Sequence, residues 1–252
     1  RLFATLYYYN RQIKGVLSLN EFSCVPIAHV YSGFSQKFGI PRQSGLIEGL
    51  ESRLVFTPPF RAAEAVRGLE AYSHIWLIWQ FSESVREGWS PTVRPPRLGG
   101  NQRMGVFATR SPFRPNSLGL SCVRLLRIDH AAPDGPILYL EGADLLSGTP
   151  VFDIKPYLPH IDAHPEASGG FAQHTQGERL EVEIPPEALA VLPPRLHHVV
   201  RQLLAQDPRP GYHSDPERIY GFPFEQFEIR FRVQENRLTV VSITPCDADN
   251  IH

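Results

Sequence analysis

Residues 91–120 read PTVRPPRLGGNQRMGVFATRSPFRPNSLGL, a stretch with five arginines (Arg94, Arg97, Arg103, Arg110 and Arg114), repeated proline and no acidic residue. A guanidinium is a planar fork of donors that pairs bidentately with phosphate and stacks on rings, and proline lowers the entropy lost in holding such forks still. The chain as a whole has 25 basic and 26 acidic side chains and a formal net charge of -1, so this cationic surface is a local asymmetry. Only Lys14, Lys37 and Lys155 are lysines. The preference for arginine is therefore general, and the missing acids are the stronger signal. The segment is expected to meet a polyanion; a plainly solvated surface is the alternative reading.

Other residues that could do chemistry are less organised. His160 and His164 have the i, i+4 spacing of a zinc pair, but Pro159 and Pro165 flank them and no HExxH is formed, so no metal is expected. Cys24, Cys122 and Cys246 are scattered, odd in number and without a CxxC, which predicts reduced thiols and a cytoplasmic protein. Cys122 lies in an apolar strand and reads as an inert buried thiol. Without GxGxxG, a P-loop or GxSxG, a dinucleotide domain, an NTPase and an α/β-hydrolase all lose support. No ready-made nucleophile is visible. What remains are loops punctuated by glycine and proline: residues 41–45, the arginine block and residues 143–150. Such loops bring backbone donors close to a ligand. Gathered at one end of a barrel they would hold a small cofactor beside a phosphate-rich substrate; taken singly, each is equally well a plain turn.

The elements that must position these loops are mostly strands. Residues 25–32 alternate, 74–81 (HIWLIWQF) read as a buried strand, and 104–110, 120–128, 137–143 and 151–157 supply four more strands between turn signals. Residues 61–69 follow a Thr-Pro-Pro start and read as a short helix. The fold class is therefore mainly β, a closed or nearly closed antiparallel barrel over residues 22–160. Residues 1–21 are set apart as an N-terminal extension, and small, polar residues at 161–178 mark a linker or loop. Residues 179–252 are expected to form a C-terminal α+β domain, with a strand at 179–184, an amphipathic helix at 193–207 and a terminal hairpin of 227–233 with 238–243. No apolar run is long enough to span a bilayer, the longest being IWLIW.

Several strings together resemble the TrmO family, also called the YaeB or TsaA-like family: PRQSGL (41–46), AVRGLEAYSHIWLIWQF (65–81), PTVRPPRLGGNQRMGVFATRSPFRPNSLGLS (91–121), DLLSGTPVFDIKPYLP (144–159) and LAQDPRPGY (204–212). The resemblance runs from about Phe22 into the final hairpin. It implies an S-adenosylmethionine-dependent tRNA methyltransferase on a β-barrel, acting as a homodimer on N6 of the threonylcarbamoyl-modified adenosine 3′ of the anticodon, at tRNA position 37. It places cofactor contacts on Gln43, Ser44 and Gly45, on Phe81 and Ser82, on Arg110 and Leu120, and on Leu145, Leu146, Ser147, Gly148, Thr149, Pro150 and Val151. The arginine block then becomes the tRNA face, with Arg42, Arg94, Arg97, Arg103, Arg114, Asn116 and Lys155 assigned to tRNA. Two positions depart from the family pattern, which often has Pro at Ser44 and Asp at Ser147; the second change removes charge assistance from any contact there.

Methyl transfer from a sulfonium to a nitrogen demands alignment rather than an enzyme nucleophile. The conjugated N6 must also shed a proton, so a nearby acceptor helps, and Asp144, Asp153 and Tyr157 are the candidates, Asp144 first because it lies in the cofactor loop. Two further readings stay open: a non-catalytic RNA-binding barrel module, and the same fold methylating another acceptor.

Overall fold

The computed structural model of the chain describes residues 23–95, 102–174, 179–209 and 215–246. Arg97 and the extension at 1–21 lie outside the described residues. The first part contains β1 (Ala28–Tyr31), β2 (Glu51–Phe56), β3 (His74–Gln80), β4 (Thr92–Val93), β5 (Met104–Gly105), β6 (Leu118–Asp129), β7 (Ile137–Glu141) and β8 (Thr149–Pro156). Six of them close a barrel in the order β1-β2-β7-β6-β3-β8, with β8 returning to β1. Every neighbouring pair is antiparallel. Closure follows from the sequence pattern: side chains alternate across a strand, and a sheet with one apolar face that curls on itself leaves no unpaired edge. In β3, Ile75, Leu77 and Trp79 point inward, where they meet Val30, Leu54, Val123, Leu138, Leu140 and Val151. Each such aliphatic side chain contributes about 1.5–3 kcal/mol by leaving water.

The structure corrects two local expectations. Residues 61–69 form no α-helix; they fold into 3₁₀ turns at Ala63–Val66 and Leu69–Ala71, because Gly68 adopts a left-handed conformation (φ 88°) that breaks the spiral. Nor is 104–110 a strand throughout. Pairing with β4 stops after Met104–Gly105, and a 3₁₀ turn at Val106–Ala108 follows, capped by the Thr109 hydroxyl donating to the Val106 carbonyl at 2.8 Å. Strand β2 and the later β10 are additions: their segments, ESRLVF and YGFPF, were not singled out from sequence.

Residues 161–178 are less empty than their composition suggests. A single turn, α1 (Pro159–Asp162), leads into them and a second, α2 (Phe171–His174), sits within them. Asp162 fixes the first by accepting from the Leu158 N–H at 2.8 Å and from the Trp76 indole at 3.2 Å.

The second part has β9 (Glu181–Glu183), α3 (Pro186–Leu189), α4 (Pro194–Ala205), β10 (Tyr220–Phe224), β11 (Phe227–Gln234) and β12 (Arg237–Pro245), in a sheet ordered β10-β11-β12-β9. Leu196, Val199, Val200, Leu203 and Leu204 of α4 form the apolar stripe expected at helical spacing and are buried. The core of this unit also contains Phe34, Ile47 and Leu50 from the β1–β2 connection. That connection therefore belongs to the barrel by sequence and to the C-terminal sheet by packing. Among the described residues no helix is long and apolar enough to cross a membrane.

Candidate active site at one end of the barrel

Antiparallel neighbours bring three connections to the same end of the barrel. β1 ends where β8 begins, with Val30 opposite Thr149, and β3 ends there too, with Trp79 opposite Val151. Residues 32–50, 81–117 and 142–148 are thus gathered by topology alone. Residues 41–45 lie within the first of these connections, and the described parts of the arginine block and of residues 143–150 fall in the other two and in the first residues of β6 and β8 that follow them.

Hydrogen bonds then lock the connections together. The Gly45 N–H donates to the Gly142 carbonyl and the Gly142 N–H to the Leu50 carbonyl, both at 2.8 Å. The N–H groups of Ser147 and Gly148 donate to Phe34 and Val30, again at 2.8 Å, and the Ser32 hydroxyl donates to the Leu145 carbonyl at 2.7 Å. The Thr149 hydroxyl closes the loop onto the Leu146 carbonyl at 2.7 Å. On the third connection, the Phe81 N–H donates to Ser117 at 2.9 Å, the Phe81 ring lies 4.2 Å from that of Trp79, and Ser82 opens an exposed 3₁₀ turn. Lys37 ties this turn to the β1–β2 connection through the Glu83 carbonyl. Arg110 donates to the Gln43 side chain, joining the arginine block to the same place.

At the centre is Asp144. Its Oδ1 accepts from the Ser121 hydroxyl at 2.7 Å, and the Ser121 oxygen in turn accepts from the Trp79 indole N–H at 3.0 Å. An indole can only donate, so the hydroxyl proton has one direction left, toward Asp144. Burial pushes the Asp144 carboxyl above its ordinary range; the Ser121 hydroxyl, its own backbone N–H, the charge of Arg110 and the Ser44 backbone N–H pull the other way and do not cancel it. Trp79 and Ser121 are members of the site that sequence reading missed. Trp79 read as one more apolar residue of β3, and Ser121 carried a weak signal as the hydroxyl within LSCV.

Other candidates fall elsewhere. Asp153 faces the outer wall of the barrel opposite Ile78 and pairs with Lys155 at 2.9 Å; Tyr157 packs beside Trp76, ring centroids 5.7 Å apart. Leu120 is also on the outer wall and 57 % exposed. Among the arginines, Arg94 is exposed, and Arg103 donates to the Thr92 hydroxyl at 3.3 Å. Arg114 folds back onto the Thr109 carbonyl at 2.8 Å and staples its own loop, with Asn116 exposed beyond it. Arg42 reaches the Asp207 carbonyl at 3.1 Å, across to the end of α4. No metal-holding cluster of His, Cys, Asp or Glu occurs among the described residues.

The cradle can be tested for a small cofactor. Gly45 (φ 75°) and Gly148 (φ 84°) both hold the left-handed conformation that favours glycine, and a Cβ built on either meets nothing within 4 Å. Two glycines beside a half-buried carboxyl, an amide side chain and exposed backbone suit a polar, cationic ligand that must approach the main chain closely. S-adenosylmethionine, with its sulfonium, amino group and ribose, has this chemistry.

Comparison with known proteins shows which family the chain resembles. The chain matches the tRNA-methyltransferase O N-terminal domain over residues 29–163 and the TrmO C-terminal domain over residues 177–246. It is 42% identical over 235 residues to a tRNA (adenine(37)-N6)-methyltransferase of Escherichia coli, covering 90% of this chain and 100% of that one. It is 41% identical over 216 residues to a putative S-adenosylmethionine-dependent methyltransferase, RcsF, of Pseudomonas aeruginosa, covering 79% and 87%. A crystal structure of TrmO from Pseudomonas aeruginosa superposes with a TM-score of 0.70 at 34% identity, over 89% of this chain and 99% of the other.

Proposed function

The chain belongs to the TrmO family, and from that premise we propose that it methylates N6 of a threonylcarbamoyl-modified adenosine at position 37 of tRNA, at the barrel end around Asp144. The activity at its coarser level, tRNA (adenine(37)-N6)-methyl transfer with S-adenosylmethionine as donor, is that of its relatives and of this chain. The observation that carries the finer reading is the convergence of three connections on one half-buried carboxyl held by Ser121 and Trp79.

Gln43, Ser44, Gly45 and residues 145–151 hold the cofactor, with Phe81 and Ser82 closing one side and Arg110 fixing Gln43. The bound cofactor supplies an electrophilic methyl group. Asp144 accepts the proton that N6 releases: Ser121 occupies Oδ1 as a donor, which leaves Oδ2 to take it. Arg94 and Arg103 face the tRNA phosphates or the threonine carboxylate, a charge-assisted contact that would select the modified base. Ser147 holds its place through backbone contact with Phe34, a bond that does not depend on its side chain.

The outer wall, with Trp76, Ile78, Leu118 and Leu120 side by side on β3 and β6, supports a homodimer in which a second copy covers it, and the tRNA substrate supports a cytoplasmic location. The test is methyl incorporation from labelled S-adenosylmethionine into tRNA that carries or lacks the threonylcarbamoyl group at A37. Incorporation into the modified tRNA alone is expected, and equal incorporation into both would overturn the finer substrate. Sedimentation should give twice the chain mass, falling to one on Leu120→Glu.

A further inference from the structure

The arginine block also carries aromatic rings that the methyl-transfer site does not use. Trp89 is 46 % exposed and Phe107 is 70 % exposed, values that leave ring face open to solvent on side chains that ordinarily seek burial. The two rings meet, centroids 6.0 Å apart and planes 33° apart, although the residues come from opposite limbs of the β4–β5 ribbon. The limbs are held in place by backbone: the Val106 N–H donates to the Pro91 carbonyl at 2.9 Å, and the turn bearing Phe107 ends in the Thr109 N–H donating to Val106 at 3.1 Å. On the same connection the guanidinium of Arg86 lies 3.9 Å from the centre of the Phe113 ring.

This surface is a short step from the reacting groups. Phe107 lies shortly before Arg110, which binds the Gln43 side chain and whose charge acts on the Asp144 carboxyl. The same connection carries Arg86, Arg94 and Arg103, and after Glu87 it has no acidic residue, the sequence being free of them from Gly88 to Ile128. Open rings on a segment that carries arginine and, from Gly88 to Ile128, no carboxylate match one occupant. Unpaired nucleotides bring a flat π face for the rings and a phosphate for each arginine, whereas a protein surface has no such regular pairing of ring and negative charge.

We propose that Trp89 and Phe107 form a stacking platform for unpaired bases of the tRNA anticodon loop that flank the methylated adenosine. The platform rests on the methyltransferase reading above and adds to it a second kind of contact. The arginines read phosphate, which is the same in a duplex; the rings read unstacked bases, which a duplex withholds. The enzyme thereby takes hold of a loop and the target base is presented out of its stack.

The experiment measures binding of a synthetic anticodon stem–loop hairpin and of a blunt RNA duplex to the full chain at several salt concentrations. Trp89→Ala and Phe107→Ala should each weaken hairpin binding about ten- to hundredfold, the loss typical of one stacked base, with the salt slope unchanged and duplex binding barely altered. Trp89→Phe and Phe107→Tyr should restore most of the hairpin affinity. Unchanged hairpin binding, or an equal loss for hairpin and duplex, overturns the platform. A change of oligomeric mass in either alanine variant assigns the surface to a second copy of the chain and overturns it too. Methyl transfer by the wild-type protein to tRNA is run in parallel: no transfer at all is a failure of the methyltransferase reading, while transfer combined with wild-type binding by the variants is a failure of the platform alone.

Discussion

At Asp144 a single carboxyl is asked to be buried enough to become basic and ionised enough to accept a proton. Burial raises its proton affinity above that of an ordinary aspartate, and a base works in its deprotonated form, so kcat should rise with pH through a range above the usual carboxylate one. Asp144→Asn should lower kcat about 10²- to 10⁴-fold and remove that limb from the pH profile. The stability consequence has the opposite sense. Since the folded state binds this proton more tightly than the unfolded chain, stability contributed by Asp144 is present in acid and lost as pH rises through its raised value; the asparagine variant should gain Tm over wild type at neutral pH and not in acid. Ser121→Ala removes the hydroxyl that both holds Oδ1 and satisfies the Trp79 indole. Leaving that buried N–H without a partner should cost about 1–3 kcal/mol in denaturant unfolding, and the acid limb of kcat should move further up in pH because a bond favouring the ionised form is gone.

Among the elements, the β1–β2 connection is the one that couples the two halves. Phe34 sits against Phe224, ring centroids 5.1 Å apart, while its carbonyl accepts the Ser147 N–H of the cofactor loop. One residue therefore ties the C-terminal core to the proposed cradle. Phe34→Ala should cost about 3–5 kcal/mol of stability by opening a cavity and should also raise the KM for S-adenosylmethionine, a pairing that calorimetry and initial rates can read separately. Local pattern was a good guide where a strand's burial follows from its own alternation, as in β11, or a helix from its apolar stripe, as in α4; in β3, expected to be buried throughout, only alternate residues are, and Trp76 and Ile78 face the outer wall. It misled at residues 61–69, where helix-forming alanines are overruled by a left-handed glycine, and at 104–110, where a 3₁₀ turn buries Val106 and leaves Phe107 exposed.

For the whole molecule, a formal net charge of -1 means that attraction to RNA comes from where the arginines stand and not from their sum. Arg103→Ala should reduce the slope of log affinity for tRNA against log salt by about one, with cofactor binding unchanged in calorimetry. Taken alone, the sequence determined the mainly β class, the cationic segment with its missing acids, the three loops rich in glycine and proline, and the family whose wording they share. These are properties of neighbouring residues, and neighbouring residues set periodicity, turn chemistry and local charge. Only the tertiary structure decided that the loops meet, because strand order in a closed barrel joins residues far apart in the chain. It alone set Ser121 and Trp79 behind Asp144, turned Asp153 and Leu120 to the outer wall, and brought Trp89 against Phe107. Each of those is a contact across strands or limbs, fixed by register and packing, and no short stretch of the chain encodes it by itself.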